Sequence, residues 1–214
     1  MHTRAPVRLT LATGVAALAL CAGRAPEGVR GAGEPVAGGD PCVAAALEQA
    51  RGAADELTET IRGLLQQELQ RGGYDGAVRV CSEAAQRLTR EYRATSGHDV
   101  RRVSLKPRNP ADAPDAFERG VLEEFERQRA SGRLPIEHFE VRREGGRDTL
   151  RYMRPLVAAA LCLNCHGRPE DIPPAVSALL KEKYPDDPAT GYQAGDVRGA
   201  VSVAVALAAE APAK

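Results

Sequence analysis

A chain of 214 residues can form one domain with a sizeable core and still carry a targeting segment. Its 29 basic and 29 acidic residues cancel, so the balance points neither to a nucleic-acid surface nor to an acidic solvating tail. Aromatics make up 4% of the chain and Trp is absent, which leaves the core to Leu, Val and Ala and argues against base stacking.

Residues 1–22 read as an export signal. Arg4 and Arg8 precede an uncharged apolar run, Leu9 to Cys21, too short to span a bilayer comfortably. An N-terminal membrane anchor is the competing reading. A lipid-modified Cys21 is a further one, against which the bulky Leu20 counts. Residues 23–40, rich in Gly, Ala and Pro and without periodicity, read as a flexible linker. The folded domain is expected over 41–208 and a disordered tail over 209–214. The expected location is periplasmic or otherwise exported, either free or tethered to the membrane through the N-terminus. There spare thiols tend to pair.

Asp40-Pro41 is a helix start, with Asp as cap and Pro at the first helical position. Val43, Leu47, Ala50, Ala54, Leu57, Ile61, Leu64 and Leu65 follow at spacings of three and four, which predicts one long amphipathic helix ending near Gly72-Gly73. Its stripe packs on a sheet or pairs with the same helix of a second subunit, giving a homodimer. Asp75 can cap a second helix whose face of Val78, Cys81, Ala85, Leu88 and Tyr92 turns Cys81 inward. Val103 and Leu105 alternate with polar residues, as in a strand. Residues 108–114 form a turn-rich loop, and Phe117, Val121, Leu122 and Phe125 mark a third helix closed by Ser131-Gly132. After Pro135 the period becomes two: a hairpin of two strands turning at Gly145-Gly146. A short helix over Ile172–Tyr184 and a last strand over Asp196–Leu207 complete the order. This is an α+β domain with a mainly antiparallel sheet.

Between the hairpin and the short helix lies LCLNCHG, Leu161 to Gly167. Cys162, Cys165 and His166 form C-x-x-C-H, the attachment signature of c-type haem. Each thiol bonds one vinyl group of the porphyrin, and the adjacent imidazole lies under the ring to ligate iron. A zinc site needs a second ligand pair, which the chain lacks. A thioredoxin-like dithiol needs a βαβ setting that this element order does not supply. For the sixth iron position Met153, His138, Cys81 and His98 are the candidates, besides an open site. Met153 stands nine residues before Cys162 on the strand leading to the motif. Cys42 and Cys81 are the remaining possible disulfide pair. A helical hairpin turning at Gly72-Gly73 sets residue 81 near about residue 64, which disfavours that bridge.

Several blocks carry a resemblance: residues 102–118 (RVSLKPRNPADAPDAFE), 151–167 (RYMRPLVAAALCLNCHG), 184–203 (YPDDPATGYQAGDVRGAVSV) and 78–86 (VRVCSEAAQ). Together they resemble the Tll0287-like, DUF3365-type family of exported haem proteins. The resemblance implies a PAS-like fold with long N-terminal helices and a single covalent haem c. It also implies that the early cysteine, here Cys81, can be an axial ligand; Met153, read from its place on the strand, is the alternative. Relatives also form the sensing part of membrane signalling proteins; about ten residues follow Val203 here, which puts direct transmitter-type signalling in doubt. Arg108, Arg198 and Arg154, with Arg151, are candidates to hold haem propionates, since guanidinium pairs well with carboxylate. The expected function is redox or gas sensing, or electron transfer with an unknown redox or signalling partner. The alternatives are a haem peroxidase-type enzyme and a non-haem periplasmic binding module.

Overall fold

The computed structural model describes residues 30–31 and 40–207, without the side chains of residues 30, 31, 81 and 82. The export segment, the rest of the linker and the tail fall outside the described residues. The fold is α+β around one antiparallel, PAS-like sheet. Among the described residues its strands are β1 (Arg30–Gly31), β2 (Asp99–Val103), β3 (His138–Glu144), β4 (Arg147–Val157) and β5 (Val197–Ala206). Their spatial order is β1-β3-β4-β5-β2. Every neighbouring pair is antiparallel. β1 lies in the stretch expected to be linker. It pairs with β3 through Glu140 and Phe139, because an edge strand offers backbone groups that another segment can satisfy.

The long helix α1 (Pro41–Arg79) starts as its sequence requires. Asp40 caps it by accepting the Cys42 N–H at 2.8 Å, and Pro41 occupies the first turn. The expected break is present at Gly73, where φ of +60° interrupts the helical backbone. The chain turns helical again at once, so this stretch is two helices meeting at a kink, as expected, and Asp75 pairs with Arg79 near the start of the second. A π-turn (Val80–Ala84) then leads into α2 (Ala85–Ser96), which Gly97 ends in the left-handed conformation. Cys42 is disulfide-bonded.

α1 covers one face of the sheet. Val43, Leu47, Ala54 and Leu57 pack there on Phe139, Leu150, Tyr152 and Val203. Each large apolar side chain fully buried in this way contributes about 1.5–3 kcal/mol. Of the two uses open to the stripe, packing on a sheet is the one observed over Val43–Leu57. α3 (Ala116–Ala130) covers the opposite face, where Val121, Leu122 and Phe125 meet Val103, Met153 and Ala200. A capping box of Asp115 and Glu118 starts α3. The β3–β4 turn at Gly145 and Gly146 has φ of +57° and +81°, as a tight two-residue hairpin demands.

A buried polar chain pins α1 to the sheet. Glu137, 1% exposed, accepts from Arg51 Nε at 3.0 Å and from the Tyr152 hydroxyl at 3.0 Å. Arg154 Nε donates to that hydroxyl at 2.9 Å and its guanidinium pairs with Asp55. Burial, and then the Glu137 charge, push the Tyr152 hydroxyl well above its ordinary pKa, so it stays a donor.

Candidate functional site

Strand β4 delivers the cysteine motif. Its register against β5 shifts between Leu156 and Val157, and the chain leaves the sheet there. Ala158 N donates to Asp196 O, and Ala158 O accepts from Gly195 N, both at 2.8 Å, so the departure is anchored. A 3-10 turn (Ala160–Cys162) and the one-turn helix α4 (Leu163–His166) follow, then α5 (Pro174–Lys183).

Cys162, Cys165 and His166 all line one cavity of about 580 Å³. Cys162 is a free thiol, so the pair is not closed as a disulfide. The cavity's apolar wall includes Leu57, Ile61, Leu65 and Leu69 of α1, with Leu156 and Leu180. Another wall carries Arg102, Arg108 and Arg198. These three arginines and His166 also line a smaller adjoining cavity of about 110 Å³. The volume and the apolar lining with a few polar groups are those of an organic ligand site.

The imidazole of His166 is held in one tautomer. Its Nδ1 lies 2.7 Å from the Ala189 carbonyl oxygen. An oxygen of that kind only accepts, so the proton sits on Nδ1 and Nε2 keeps its lone pair. Burial, then the charges of Arg198 and Arg108, hold the His166 pKa well below its ordinary value, while the Ala189 bond opposes them. The ring is thus neutral near pH 7, and Nε2 is a ligand for a metal. Tyr192 stands edge-on to it at 6.3 Å.

The arginines differ in their commitments. Arg108 is tied into the protein, donating from Nε to Asp187 at 2.9 Å and from Nη2 to Cys165 O at 2.5 Å. Arg198 donates to Ser104 Oγ at 2.7 Å and lies over Tyr192 at 5.4 Å, but has no carboxylate in ion-pair range among the described residues. Burial lowers its pKa; Tyr192 opposes this, and the charges of Arg108 and Arg102 add to the lowering. Arg102 reaches Asp112 only at 3.7 Å, and its buried Nε has no hydrogen-bond partner. A half-buried cationic wall with an orphaned donor is suited to an anionic group of a ligand.

The remaining expected positions, Cys81 apart, separate from the cavity. Met153 is fully buried on the α3 face of the sheet, in the core with Val103 and Phe125. This corrects its place as alternative sixth ligand, because residues 152 and 153 point to opposite faces of β4. Arg154 serves Tyr152 and Asp55 and does not line the cavity. Arg151 lies on the α3 side, donating to Asp115 at 2.7 Å and Glu144 at 2.8 Å. His138 packs beside Phe117 on that side, and His98 follows the Gly97 turn. Cys81 falls in the π-turn, and its side chain lies outside the described residues. Arg102 and Ala189 went unnoticed in the sequence. Arg102 is one of two adjacent arginines in a short strand, and a backbone carbonyl leaves no sequence signal.

The model of the Tll0287-like family matches residues 42–206. The chain belongs to the Tll0287-like family. Among solved structures it is similar to the cyanobacterial heme-protein Tll0287, at 28% identity and a TM-score of 0.58. That match covers 75% of this chain and 94% of the other. No curated protein matches the chain. In this Tll0287-like chain the cavity, the motif and the arginine wall all lie within the matched residues.

Proposed function

We propose that this protein is an exported single-haem c-type protein that transfers electrons or senses redox state or a gas. One observation carries the reading: both motif cysteines and a neutral, tautomer-fixed histidine open on the same apolar cavity, beside an arginine wall with too few carboxylates. In it Cys162 and Cys165 would hold the porphyrin through thioether bonds, His166 Nε2 would ligate iron, and the haem would supply one-electron redox chemistry. Arg198 and Arg102 would receive the propionates, while Arg108 holds the motif through Cys165 O. The leucines of α1 exclude water from the ring. Cys81 would be the second protein ligand to the iron, which leaves the Cys42 disulfide to another cysteine; Ala77 and Val78, just before its π-turn, line the cavity, and such turns recur at functional sites.

Among the described residues the cavity lining has no carboxylate and no histidine besides His166. That supports a carrier or sensor over peroxidase-type acid–base chemistry. The apolar run Leu9–Cys21 supports export, with a membrane tether and a redox or signalling partner as parts of the proposal. The test is the absorption spectrum of the full chain made with a haem-attachment system, before and after acid–acetone extraction. A Soret band that stays with the protein, and is extracted from Cys162→Ser/Cys165→Ser, is the expected result. A wild-type protein without haem after extraction overturns covalent attachment.

A further inference from the structure

The loop after α5 braces the motif from outside the cavity. Tyr192 N donates to His166 O at 2.9 Å, and Gly191 N to Gly167 O at 2.8 Å. Asp187, whose side chain is 10% exposed, stands at the centre of this brace. Its Oδ1 accepts from Ala189 N at 2.9 Å, and its Oδ2 faces Arg108, 2.9 Å from Nε and 2.7 Å from Nη2. Arg108 Nη2 in turn reaches the Ala189 carbonyl at 3.4 Å and Cys165 O at 2.5 Å. One carboxylate therefore holds both the backbone N–H of the residue whose carbonyl accepts the His166 proton and the guanidinium that fixes the motif helix. Asp187 itself does not line the cavity.

The brace matters because His166 Nδ1 has a competitor. Arg198 Nε approaches the same nitrogen at 3.3 Å. A guanidinium only donates, so a bond from Arg198 would need an unprotonated Nδ1 and would move the proton to Nε2. That tautomer cannot ligate iron through Nε2. The carbonyl prevails at 2.7 Å, within ordinary hydrogen-bond range, only while it is aimed at the ring. We propose that Asp187 is a positioning residue that selects the metal-binding tautomer of His166 by aiming the Ala189 carbonyl against the competing guanidinium of Arg198.

The proposal rests on the haem reading for its consequence and on the apoprotein for its direct test. In the haem-free full chain, long-range nitrogen–proton NMR should find the His166 proton on Nδ1 in wild type. In Asp187→Ala it should be lost from Nδ1 or shared with Nε2. Adding Arg198→Gln should return it to Nδ1. In the haem-loaded chain, Asp187→Ala should keep haem content but raise the midpoint potential, since a lost N–H···O=C bond weakens the imidazole as a donor. The expected change is about tenfold in the oxidised-to-reduced ratio at the wild-type midpoint, about 59 mV for one electron. Asp187→Asn, which keeps an Oδ1 acceptor for Ala189, should fall between; it also stands in if Asp187→Ala does not fold. Wild-type tautomer and potential in both Asp187 variants overturn the proposal. Absence of haem in wild type overturns the functional reading alone, because the NMR experiment still judges Asp187.

Discussion

A single methyl group at position 167 should damage the motif more than at an open helical glycine elsewhere. Gly167 follows His166 at φ −65°, a conformation any residue adopts, so the requirement is one of space. A Cβ there would stand 2.5 Å from the Leu163 carbonyl oxygen and 3.4 Å from Leu163 Cβ. Ordinary carbon–oxygen contacts are about 3.3 Å or longer, so the turn must open by roughly 0.8 Å. The same oxygen accepts the Gly167 N–H at 2.8 Å, and Gly167 O accepts from Gly191 N at 2.8 Å. Opening the turn therefore strains both, and the Ala189–His166 bond beside them. Overpacking of this kind costs about 1–3 kcal/mol, and 2 kcal/mol lowers the melting temperature of a chain this size by about 4–8 °C. Gly120 supplies the control. It lies within α3, and its Cβ would meet nothing within 4 Å. Alanine there should stabilise by about 0.5–1 kcal/mol, because it removes backbone freedom from the unfolded chain. Thermal unfolding followed by circular dichroism compares Gly167→Ala, Gly120→Ala and wild type. A Gly167→Ala protein melting at or above wild type would refute the steric account.

Tyr152→Phe removes a hydroxyl that donates to buried Glu137 and accepts from Arg154. Hydrogen bonds to charged groups contribute about 1.5–3 kcal/mol, so calorimetry should show a loss of about 2 kcal/mol; an unchanged melting point would mean that Arg51 alone satisfies Glu137. Asp115→Asn tests a charge at the start of α3. Burial works against the Asp115 carboxylate, but the Glu118 N–H and Arg151 hold its pKa below the usual 3.8. A depressed carboxylate pKa stabilises the fold above the unfolded value and loses that contribution as pH falls through the folded one. The Asn variant can still cap the helix and is expected to lose only about 0–1 kcal/mol of an exposed ion pair at pH 7. Urea unfolding should show that deficit at pH 7 and its disappearance well below pH 3.8; a deficit that grows in acid would contradict the sign.

Most elements were legible because each had a local cause. Asp40-Pro41 could start a helix, Gly145-Gly146 could turn a hairpin, and Val201, Val203 and Val205 could alternate in a strand. Met153 misled because distance along the chain was weighed above strand parity. Leu156 lines the cavity, and counting back by two gives Arg154, Tyr152 and Leu150, which leaves Met153 on the other face. The arginines were hard for a different reason. Arg108, Arg154 and Arg198 are alike as residues, and only their partners distinguish a clamp on Cys165, a link to Asp55 and a guanidinium beside His166. The brace was invisible because its decisive atom is the carbonyl of Ala189, aimed through Asp187.

Helix α1 shows how far periodicity can carry a reading. One stripe of three- and four-residue spacing runs along it, yet its parts do different work. Val43 to Leu57 close over the sheet, and Ile61, Leu65 and Leu69 continue the same stripe along the cavity wall. Water is excluded from a protein core and from a ligand site by the same apolar side chains, so the spacing is identical in both. What separates the two stretches is the chemistry facing them. Across from Leu57 stand Phe139, Tyr152 and other apolar groups of the sheet; the cavity that Ile61, Leu65 and Leu69 line also carries two cysteines, a histidine and four arginines. A helix longer than its sheet requires is therefore informative when a compact polar motif shares the wall it adds. In this chain that pairing, rather than C-x-x-C-H alone, supports the proposed site for a large apolar group with anionic ends.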